Sequence, residues 1–480
     1  MRDDPASLED IERVFGRYRP LVSSFGALTD ALLAKRAPVV WAHPDRTTRD
    51  ALSASLACDG VDSETVGWEP TALRLTNTER PGLRWQHAAG LFYVQDEASM
   101  LPVRLLDPQP GERVLDLCAA PGSKTARIAF ALGNRGTLVA NDRSAGRLAA
   151  MSSTIRRLGI RNVTCTVMDG VKVPIEAGRF DKVLVDAPCT AEGTAHKSSA
   201  WRRSPEGFRS WIPGLQRELL KRAIRLCRPG GRIVYSTCTL APEENEAVVN
   251  AVLAELSGRV RLLPVAPIEG LVISPSVQAW GGVRFAPELS RAVRIWPHLG
   301  KATGFFMAVL EKDPEAVEEA EASTPISAIA DDARSSDVLR RFGDDFGLPS
   351  EVFAGHRLLE RGTYARLVPD DHRVPAGARH VATGLEVTRN RARNPKLSTA
   401  GGMSLGRVAS KQVLQLSTRG AKSYQARESI PLIECEALLG CEHDGYVIVR
   451  FGEHALGLGR IVRSGTQGEL VSEFPKAWSI

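Results

Sequence analysis

Strand-like and helical patterns alternate along the middle of this chain. Short apolar runs typical of buried β-strands are each followed by a segment with helical periodicity. The predicted strands are RVLDLC, GTLVAND, VTCTVMDG, FDKVLVDAPC and RIVYSTC. The predicted helices are TARIAFALG, AGRLAAMSSTIRRLG, PGLQRELLKRAIRLC and PEENEAVVNAVLAEL. Such alternation predicts a doubly wound, mostly parallel α/β sheet.

The regions on either side carry different patterns. LEDIERVFGRY and FGALTDALLAK are helical and APVVWAH and TALRLT are strand-like, which predicts a small N-terminal α+β appendage. GYVIVRFGEHALGLGRIVRSGTQGELVSEF predicts strands joined by glycine-containing turns, and therefore a small β-rich domain near the C-terminus. The acidic segment EKDPEAVEEAEASTP has the composition of a linker. The expected units are an appendage at 1–85, an α/β core at 86–312, a linker at 313–335 and a C-terminal extension at 336–480.

Length and composition exclude several classes of protein. With 480 residues, 43% apolar and 25% charged, the chain fits a multidomain globular protein rather than a collagen, a disordered chain or a disulfide-stapled miniprotein. No apolar run is long enough to predict a membrane-spanning helix, and the acidic start MRDDPASLEDIER does not resemble a secretory signal. The 8 cysteines contain no CxxC pair, so we expect free thiols, no metal site and a cytoplasmic location.

Positive charge is concentrated in two stretches, although the net charge is only +6. Between Lys197 and Arg232 there are ten basic and two acidic residues, and between Arg389 and Lys411 there are six basic residues and no acidic one. Basic patches attract polyanions, so they favour a nucleic-acid partner. A solvated helix face and a surface loop are the alternative interpretation.

Polar and nucleophilic residues cluster at the carboxyl ends of the predicted strands. In an open parallel sheet these ends meet at one edge, where ligands bind. The candidate residues are Asp116, the loop Cys118, Ala119, Ala120, Pro121, Gly122, Ser123 and Lys124, then Asp142, Asp169, Asp186, Cys189 and Cys238.

Several of these residues fit an adenosine ligand that carries a carboxylate. The loop ends at a helix N-terminus, whose free N–H groups suit an anion. Asp142 is placed to accept hydrogen bonds from a ribose diol, and Asp169 from an exocyclic amino group. S-adenosylmethionine combines these features, whereas the loop lacks the GxGxxG pattern of dinucleotide sites. The alternative is that each aspartate only caps the next helix.

Cys189 and Cys238 suggest covalent catalysis. A thiolate can add to carbon 6 of a cytosine, which makes carbon 5 nucleophilic toward a sulfonium methyl group. Asp186 could protonate or hydrogen-bond ring nitrogen 3 and stabilise the developing charge. From the chemistry alone, either cysteine could be the nucleophile. The base must be unstacked, which suits single-stranded or opened RNA.

Four motifs resemble those of the Sun-type RNA (cytosine-5) methyltransferases: YVQDEASMLPV, DLCAAPGSKT, DAPCTAEGT and YSTCTLAPEENEAVV. The resemblance implies a Rossmann-like, S-adenosyl-L-methionine-dependent methyltransferase core over residues 86–312. It implies that Cys238 attacks the base and that Cys189 assists product release. It also implies that the loop from Cys118 to Lys124, with Asp142, Asp169 and Asp186, contacts the cofactor.

The C-terminal segments RFGDDFGLP and LGLGRIV, with the closing Phe474-Pro475, are similar to the RNA-binding extension of ribosomal members of that family. This implies a PUA-like β domain, an RNA-binding role for the N-terminal appendage, ribosomal RNA as substrate and the small ribosomal subunit as a partner. Transfer RNA remains an alternative substrate, and a non-catalytic RNA-binding ribosome assembly factor an alternative function. We expect a monomer that does not bind a membrane.

Overall fold

The computed structural model describes residues 7–78, 80–175, 179–197, 200–203, 206–316, 333–361, 364–389, 396–464 and 467–478. Its helices are α1 (Leu8–Phe15), α2 (Phe25–Leu33), α3 (Arg49–Cys58), α4 (Trp85–Ala88), α5 (Leu101–Leu106), α6 (Ser123–Ala131), α7 (Ala145–Leu158), α8 (Ala200–Arg203), α9 (Glu206–Leu226), α10 (Glu246–Glu255), α11 (Ala333–Phe346), α12 (Thr399–Leu405) and α13 (Thr418–Gln425).

Strands fall into an N-terminal sheet, a large central sheet with a small hairpin beside it, and two C-terminal sheets. The N-terminal strands are β1 (Val39–Ala42), β2 (Ser63–Thr65), β3 (Ala72–Leu75) and β4 (Phe92–Val94). The central strands are β5 (Arg113–Asp116), β6 (Thr137–Asp142), β7 (Val163–Val167), β8 (Phe180–Asp186), β9 (Cys227–Thr237), β10 (Val260–Leu263), β11 (Ser274–Pro275), β14 (Val293–Ile295), β15 (Phe305–Lys312) and β18 (His380–Thr383), and the hairpin is β12 (Ala279–Trp280) with β13 (Val283–Arg284). The C-terminal strands are β16 (His356–Arg361), β17 (Tyr364–Pro369), β19 (Leu385–Arg389), β20 (Val413–Leu416), β21 (Ile430–Pro431), β22 (Ala437–Leu439), β23 (Gly445–Phe451), β24 (His454–Ser464) and β25 (Gln467–Ser472).

The central sheet confirms the predicted doubly wound core. Its order is β11-β14-β15-β9-β8-β5-β6-β7-β18, and the five strands from β9 to β7 are parallel. From β5 the chain winds outward through β6 and β7, and then returns to build β8 and β9 on the other side. The strand order therefore reverses between β5 and β8, and a crevice forms at the carboxyl ends of these two strands.

The boundaries near residue 227 differ from the predicted ones. Helix α9 begins at Glu206 and contains Pro213, where the pattern predicts its start. The helix ends at Leu226. The residues Pro229-Gly230-Gly231, a sequence typical of the end of a helix, lie inside β9. The reason is tertiary, because β9 is paired with β8 from Cys227 onward and with β15 from Arg232 onward.

The two ends of the chain pack on each other. Val40, Leu56 and Phe92 of the N-terminal region share one apolar cluster with Leu414 and Tyr424 of the C-terminal region. Strand β18, from beyond the expected linker, pairs antiparallel with β7 at the edge of the central sheet. Most of the linker expected at 313–335 lies outside the described residues. The N-terminal, central and C-terminal regions therefore form one packed body in the structure.

Two kinds of feature are absent from the described residues. None of the described helices is long and apolar enough to cross a membrane. Within the same ranges, no group of three or more His, Cys, Asp or Glu side chains is arranged to hold a metal ion.

Candidate active site

The two candidate cysteines meet at the carboxyl edge of the central sheet, next to the switch point, which is the reversal of strand order between β5 and β8. Cys189 follows β8 and Cys238 follows β9, and these strands are parallel neighbours. The two Sγ atoms are 3.4 Å apart, within hydrogen-bond distance for sulfur. Both side chains are partly exposed, so a substrate can reach them from the crevice. The sequence predicts this meeting at one sheet edge, and the structure places the two thiols in direct contact.

Backbone contacts fix the segment that carries Cys238. The N–H of Gly193 donates to the carbonyl of Cys238 at 2.9 Å, and the N–H of Gly304 donates to the carbonyl of Gly193 at 3.1 Å. A Cβ on Gly193 would lie 2.3 Å from the Gly304 carbonyl oxygen, so glycine is needed for this close approach. Thr237, the residue before the cysteine, donates from its hydroxyl to Asn245 at 2.6 Å. The thiol is thus held on a well-connected backbone.

A buried carboxylate fixes the segment that carries Cys189. Glu244 accepts hydrogen bonds from the N–H and the hydroxyl of Thr190, at 3.1 and 2.5 Å. It accepts a third from Gln216 at 3.0 Å, and Thr190 also contacts the hydroxyl of Thr239 at 2.7 Å. Burial raises the pKa of Glu244, while the hydrogen bonds from Thr190 and Gln216 oppose that rise. Glu244 therefore links the residues after Cys189 to those after Cys238.

The contact between the thiols controls their protonation. The hydrogen bond with Cys238 raises the pKa of the Cys189 thiol well above its usual range, and burial acts in the same direction. Removing protons from both sulfurs would place two negative charges 3.4 Å apart in a largely dry site. The two sulfurs therefore share one hydrogen bond, in which either thiol can be the donor.

Asp186, at the end of β8, lies in a polar network beside the thiols. One carboxylate oxygen accepts from Lys124 at 2.7 Å, and the other accepts from the hydroxyl of Ser236 at 2.8 Å. Lys124 also donates to Ser99 at 2.7 Å, and its own side chain is nearly buried. The structure thus brings together Asp186 and Lys124, which lie far apart in the sequence. The supporting residues Ser99 and Ser236 were not identified as site residues from the sequence.

The loop from Cys118 to Lys124 leads into α6 at the same sheet edge. Gly122 precedes the helix with a φ of 104°, and a Cβ there would lie 2.4 Å from Met151 Cγ, so only glycine fits. The first N–H groups of α6 have no partner within the helix. Burial raises the pKa of Cys118 well above its usual range, so this third thiol stays protonated. The loop therefore offers hydrogen-bond donors rather than a nucleophile.

Two predicted ligand contacts already have partners. The buried carboxylate of Asp142 accepts from the N–H groups of Ala120 and Ser144, at 3.2 and 2.8 Å, and from the guanidinium of Arg147 at 3.1 Å. The side chain of Arg147 is 57% exposed, so it can move away from Asp142. Asp169 is exposed and accepts from the N–H of Val171 at 3.2 Å, which is the capping role weighed as its alternative.

Asp116 contains an unpartnered atom in the crevice. Its Oδ2 accepts from the hydroxyl of Thr125 at 2.7 Å, whereas Oδ1 is buried with no hydrogen-bond partner among the described residues. Burial raises the pKa of Asp116 to about 7, and the carboxylates of Asp186 and Asp142 act in the same direction. A ligand with a cationic amino group would supply the missing partner. The residues present thus fit a ligand of the S-adenosylmethionine type.

The raised pKa of Asp116 gives a testable pH dependence. Because the pKa rises from 3.8 in the unfolded chain to about 7 in the fold, the stabilising effect of the proton is complete below about pH 4 and is lost as the pH rises through 7. The Asp116→Asn variant, which stays neutral, should therefore gain stability over the wild type with rising pH, by up to about 4 kcal/mol. Urea unfolding without ligand at about pH 5 and about pH 8 measures this gain, with the exposed Asp345→Asn as control. An equal difference at both pH values would contradict it.

A cleft of about 1050 Å³ opens beside the site, between α2, the N-terminal sheet and residues 297–303. Its lining includes Thr303, which donates to the buried Asp96, and Lys197, which pairs with the same carboxylate at 2.5 Å. Buried ring nitrogens of His196 and His298 have no hydrogen-bond partner among the described residues. Thr303 precedes Gly304, whose N–H donates to Gly193, so the cleft lies next to the segment that carries the thiols.

The two basic stretches are less uniformly cationic than their composition suggests. In the first, Arg209 pairs with Glu192, Lys221 with Glu255 and Arg228 with Asp181. Part of the second stretch, residues 390–395, lies outside the described residues. Trp201 of the first stretch is buried against Phe15 at a ring distance of 4.9 Å, so its ring packs inside the protein.

This chain is similar to proteins described as ribosomal RNA methyltransferases. Residues 103–311 match the family described as 16S rRNA methyltransferase RsmB/F. The chain is 39% identical over 238 residues to the ribosomal RNA small subunit methyltransferase F of Klebsiella pneumoniae, which covers 47% of this chain and 46% of that protein. It is 35% identical over 298 residues to the 25S rRNA (cytosine-C(5))-methyltransferase nop2 of Schizosaccharomyces pombe. This match covers 60% of this chain and 47% of that protein. The chain spans about half the length of these curated relatives.

The fold is similar to that of a solved methyltransferase homolog. A methyltransferase homolog from Pyrococcus horikoshii is 30% identical and superposes with a TM-score of 0.56. The match covers 64% of this chain and 98% of that structure, so nearly the whole of that protein has a counterpart here.

Proposed function

Because residues 103–311 match the family described as 16S rRNA methyltransferase RsmB/F, we propose that this chain methylates carbon 5 of a cytosine in ribosomal RNA, with S-adenosylmethionine as the methyl donor. The observation that carries the proposal is the contact of the Cys189 and Cys238 sulfurs at the switch point, 3.4 Å apart. A methyltransferase that uses only proximity needs no thiol there, whereas addition to a pyrimidine ring needs a nucleophile and a group that reverses the addition.

The residues that would hold S-adenosylmethionine lie along the ends of β5 and β6. The loop from Cys118 to Lys124, with the first N–H groups of α6, would bind the carboxylate, and Asp116 would accept from the amino group. Asp142 would bind the ribose hydroxyls once Arg147 leaves it, and Asp169 and Asp186 would complete the site. When bound, S-adenosylmethionine supplies an electrophilic methyl group.

Cys238 is the nucleophile of the proposed reaction. In the thiolate form it accepts the hydrogen bond of the Cys189 thiol and adds to carbon 6 of the cytosine, which forms a carbon–sulfur bond. The electron pair of the 5,6 double bond then makes carbon 5 nucleophilic. A proton held by the pair of Asp186 and Lys124, whose polar atoms are 2.7 Å apart, would be donated to ring nitrogen 3 and would neutralise the charge that develops there.

Cys189 acts after the methyl group has been transferred. Once Cys238 is bonded to carbon 6, its sulfur carries no negative charge, so a thiolate can form on Cys189 without repulsion from a second thiolate. Cys189 can then lose its proton to solvent and remove the proton from carbon 5. The 5,6 double bond forms again, the carbon–sulfur bond breaks and Cys238 is released as a thiolate. Cys189 therefore acts as a base only after Cys238 has added to the ring, so addition precedes elimination.

The RNA would reach this site through the cleft beside it. The N-terminal appendage lines the cleft with Lys35 and Arg36, and Lys197 and Lys301 line its other side. We assign an RNA-binding role to this appendage and to the C-terminal extension, whose six-stranded sheet would be the PUA-like domain. The proposal includes a cytoplasmic monomer that acts on RNA of the small ribosomal subunit.

A methylation assay tests this function. The purified protein, S-adenosylmethionine and a 16S ribosomal RNA transcript should yield 5-methylcytidine, identified by mass spectrometry of the digested RNA. Bulk transfer RNA serves as the parallel substrate. Methylation of transfer RNA alone would keep the chemistry and overturn the substrate. A methyl group on another atom, or none on either RNA, would overturn the function and favour a non-catalytic assembly factor.

A further inference from the structure

A second cavity lies where the N-terminal region, the central sheet and the C-terminal extension meet. It has a volume of about 400 Å³, in the range of sites for small ligands. We call it the junction pocket. Its described lining contains four arginines but only one acidic residue, Asp45. The four arginines are Arg46, Arg135, Arg161 and Arg407.

The hydrogen bonds of two of these arginines go to neutral groups. Arg46 donates to the carbonyl oxygens of Ala89 and Arg157, at 2.8 and 2.9 Å. Arg161 donates to the hydroxyl of Ser404 at 3.2 Å and to His356 Nε2 at 3.3 Å, and its buried Nε has no partner among the described residues. Such contacts satisfy hydrogen-bond donors but do not neutralise charge. Arg407, by contrast, pairs with Glu453 at 2.9 Å.

Three histidines line the pocket, His43, His356 and His454, and burial lowers the pKa of each. His43 contacts the Leu158 carbonyl through Nε2 at 2.9 Å and accepts from the N–H of Asp45 at Nδ1. His356 contacts the Ala354 carbonyl through Nδ1 at 2.9 Å, so its Nε2 is the acceptor for Arg161. The neighbouring arginines lower the pKa of the His43 and His356 rings further. The rings are therefore neutral, and the pocket carries net positive charge.

Arg46 is buried close to other arginines. Burial lowers the pKa of Arg46 to about 9, and Arg157 and Arg161 contribute to that decrease. The end of α7 explains part of this arrangement, because the helix dipole attracts a cation to its last carbonyls. It accounts for Arg46, which caps the Arg157 carbonyl, but not for Arg135 or Arg161.

Two glycines make room for the Arg46 guanidinium. A Cβ on Gly90 would lie 2.2 Å from Nη1 of Arg46, and one on Gly159 would lie 2.9 Å from Nη2. Both glycines have positive φ, 70° and 69°, which other residues rarely adopt. The N-terminal region and the central region thus both leave space for one guanidinium at the pocket.

We propose that the junction pocket binds a backbone phosphate of the RNA substrate. A phosphate supplies the negative charge that the arginines lack, and guanidinium groups bind it through paired hydrogen bonds. Arg161 lines the pocket with a guanidinium that hydrogen-bonds to Ser404 and His356, and the exposed Arg135 lines the same space. The proposal rests on the proposed function, because RNA is the polyanion that such an enzyme must hold. Bound there, RNA would contact all three regions of the chain.

The test uses the full-length Arg135→Gln and Arg161→Gln variants, singly and together, with Arg284→Gln as an exposed control outside the pocket. Binding of a fluorescein-labelled single-stranded RNA is measured over a series of salt concentrations. Loss of one phosphate contact should weaken binding and reduce the slope of log K against log salt by about 0.7, while the control stays at the wild-type slope. Because Arg135 is exposed, its variant should fold normally, and a thermal melt checks this.

Two further readouts separate this proposal from the proposed function. At saturating RNA, the pocket variants should keep the wild-type kcat for methyl transfer, since they lie outside the thiol site. If the wild type transfers no methyl group, the function fails, but the salt slopes still test the pocket. Unchanged affinity and slope in the double variant would overturn the phosphate site. Equally tight binding of inorganic pyrophosphate, competing with the RNA, would assign the pocket to a small phosphate compound and overturn RNA as its occupant.

Discussion

Methyl transfer by the Cys238→Ala variant is expected to fall by 10⁴-fold or more, on the order of the losses measured when covalent nucleophiles are removed from other enzymes. Without the sulfur, no bond forms at carbon 6, and carbon 5 of cytosine stays too electron-poor to accept a methyl group. The affinity for RNA should stay within about twofold, because the side chain is small and the phosphate contacts lie elsewhere. Single-turnover methylation with labelled S-adenosylmethionine measures the loss.

The control for this variant is Cys58→Ala. Cys58 is an exposed free thiol at the end of α3, so its removal should leave the rate unchanged. A Cys238→Ala enzyme that retains more than about a tenth of the wild-type rate would exclude Cys238 as the nucleophile, since such a loss corresponds to only about 1.4 kcal/mol of transition-state stabilisation.

The Cys189→Ala variant should accumulate a covalent protein–RNA adduct. Addition and methyl transfer still proceed through Cys238. The Cys189 sulfur, which lies 3.4 Å from the Cys238 sulfur in the wild type, is no longer there to remove the carbon 5 proton. Turnover should fall by about 10²- to 10⁴-fold, the usual contribution of a general base. On a denaturing gel, the adduct should appear as a slowly migrating band that requires S-adenosylmethionine and disappears with ribonuclease.

A double variant provides the control for this adduct. The adduct requires the sulfur of Cys238, which forms the bond to carbon 6. The double variant Cys189→Ala with Cys238→Ala should therefore give no band. A band that persists in the double variant, or a Cys189→Ala enzyme that turns over at the wild-type rate, would contradict the assigned order.

The sequence predicts the parts of the site that local pattern controls. Asp186 and Cys189 follow one buried apolar run and Cys238 follows another, so parallel pairing brings them to one edge of the sheet. The strand pattern RVLDLC followed by the helical pattern TARIAFALG likewise predicts the loop before α6, where Gly122 packs on Met151. These features depend on elements whose periodicity is clear within a single segment.

What the sequence does not predict depends on contacts between distant segments. Glu244 belongs to a motif that was noted, but its bonds to Thr190 and Gln216 span 54 and 28 residues. The pairing of β18 with β7 has no local signal, because a short edge strand is chosen by its neighbour rather than by its own pattern. Arg147 on Asp142 was missed for the same reason, since charge pairing follows from the fold.

The most direct test of the account is the identity of the residue that bonds to the base. RNA containing 5-fluorocytidine should trap the wild-type enzyme after methyl transfer, because carbon 5 then carries fluorine in place of a removable proton. Mass spectrometry of the digested adduct should find the modified nucleotide on Cys238. A nucleotide on Cys189, or no adduct on an enzyme that methylates ordinary RNA, would contradict the account.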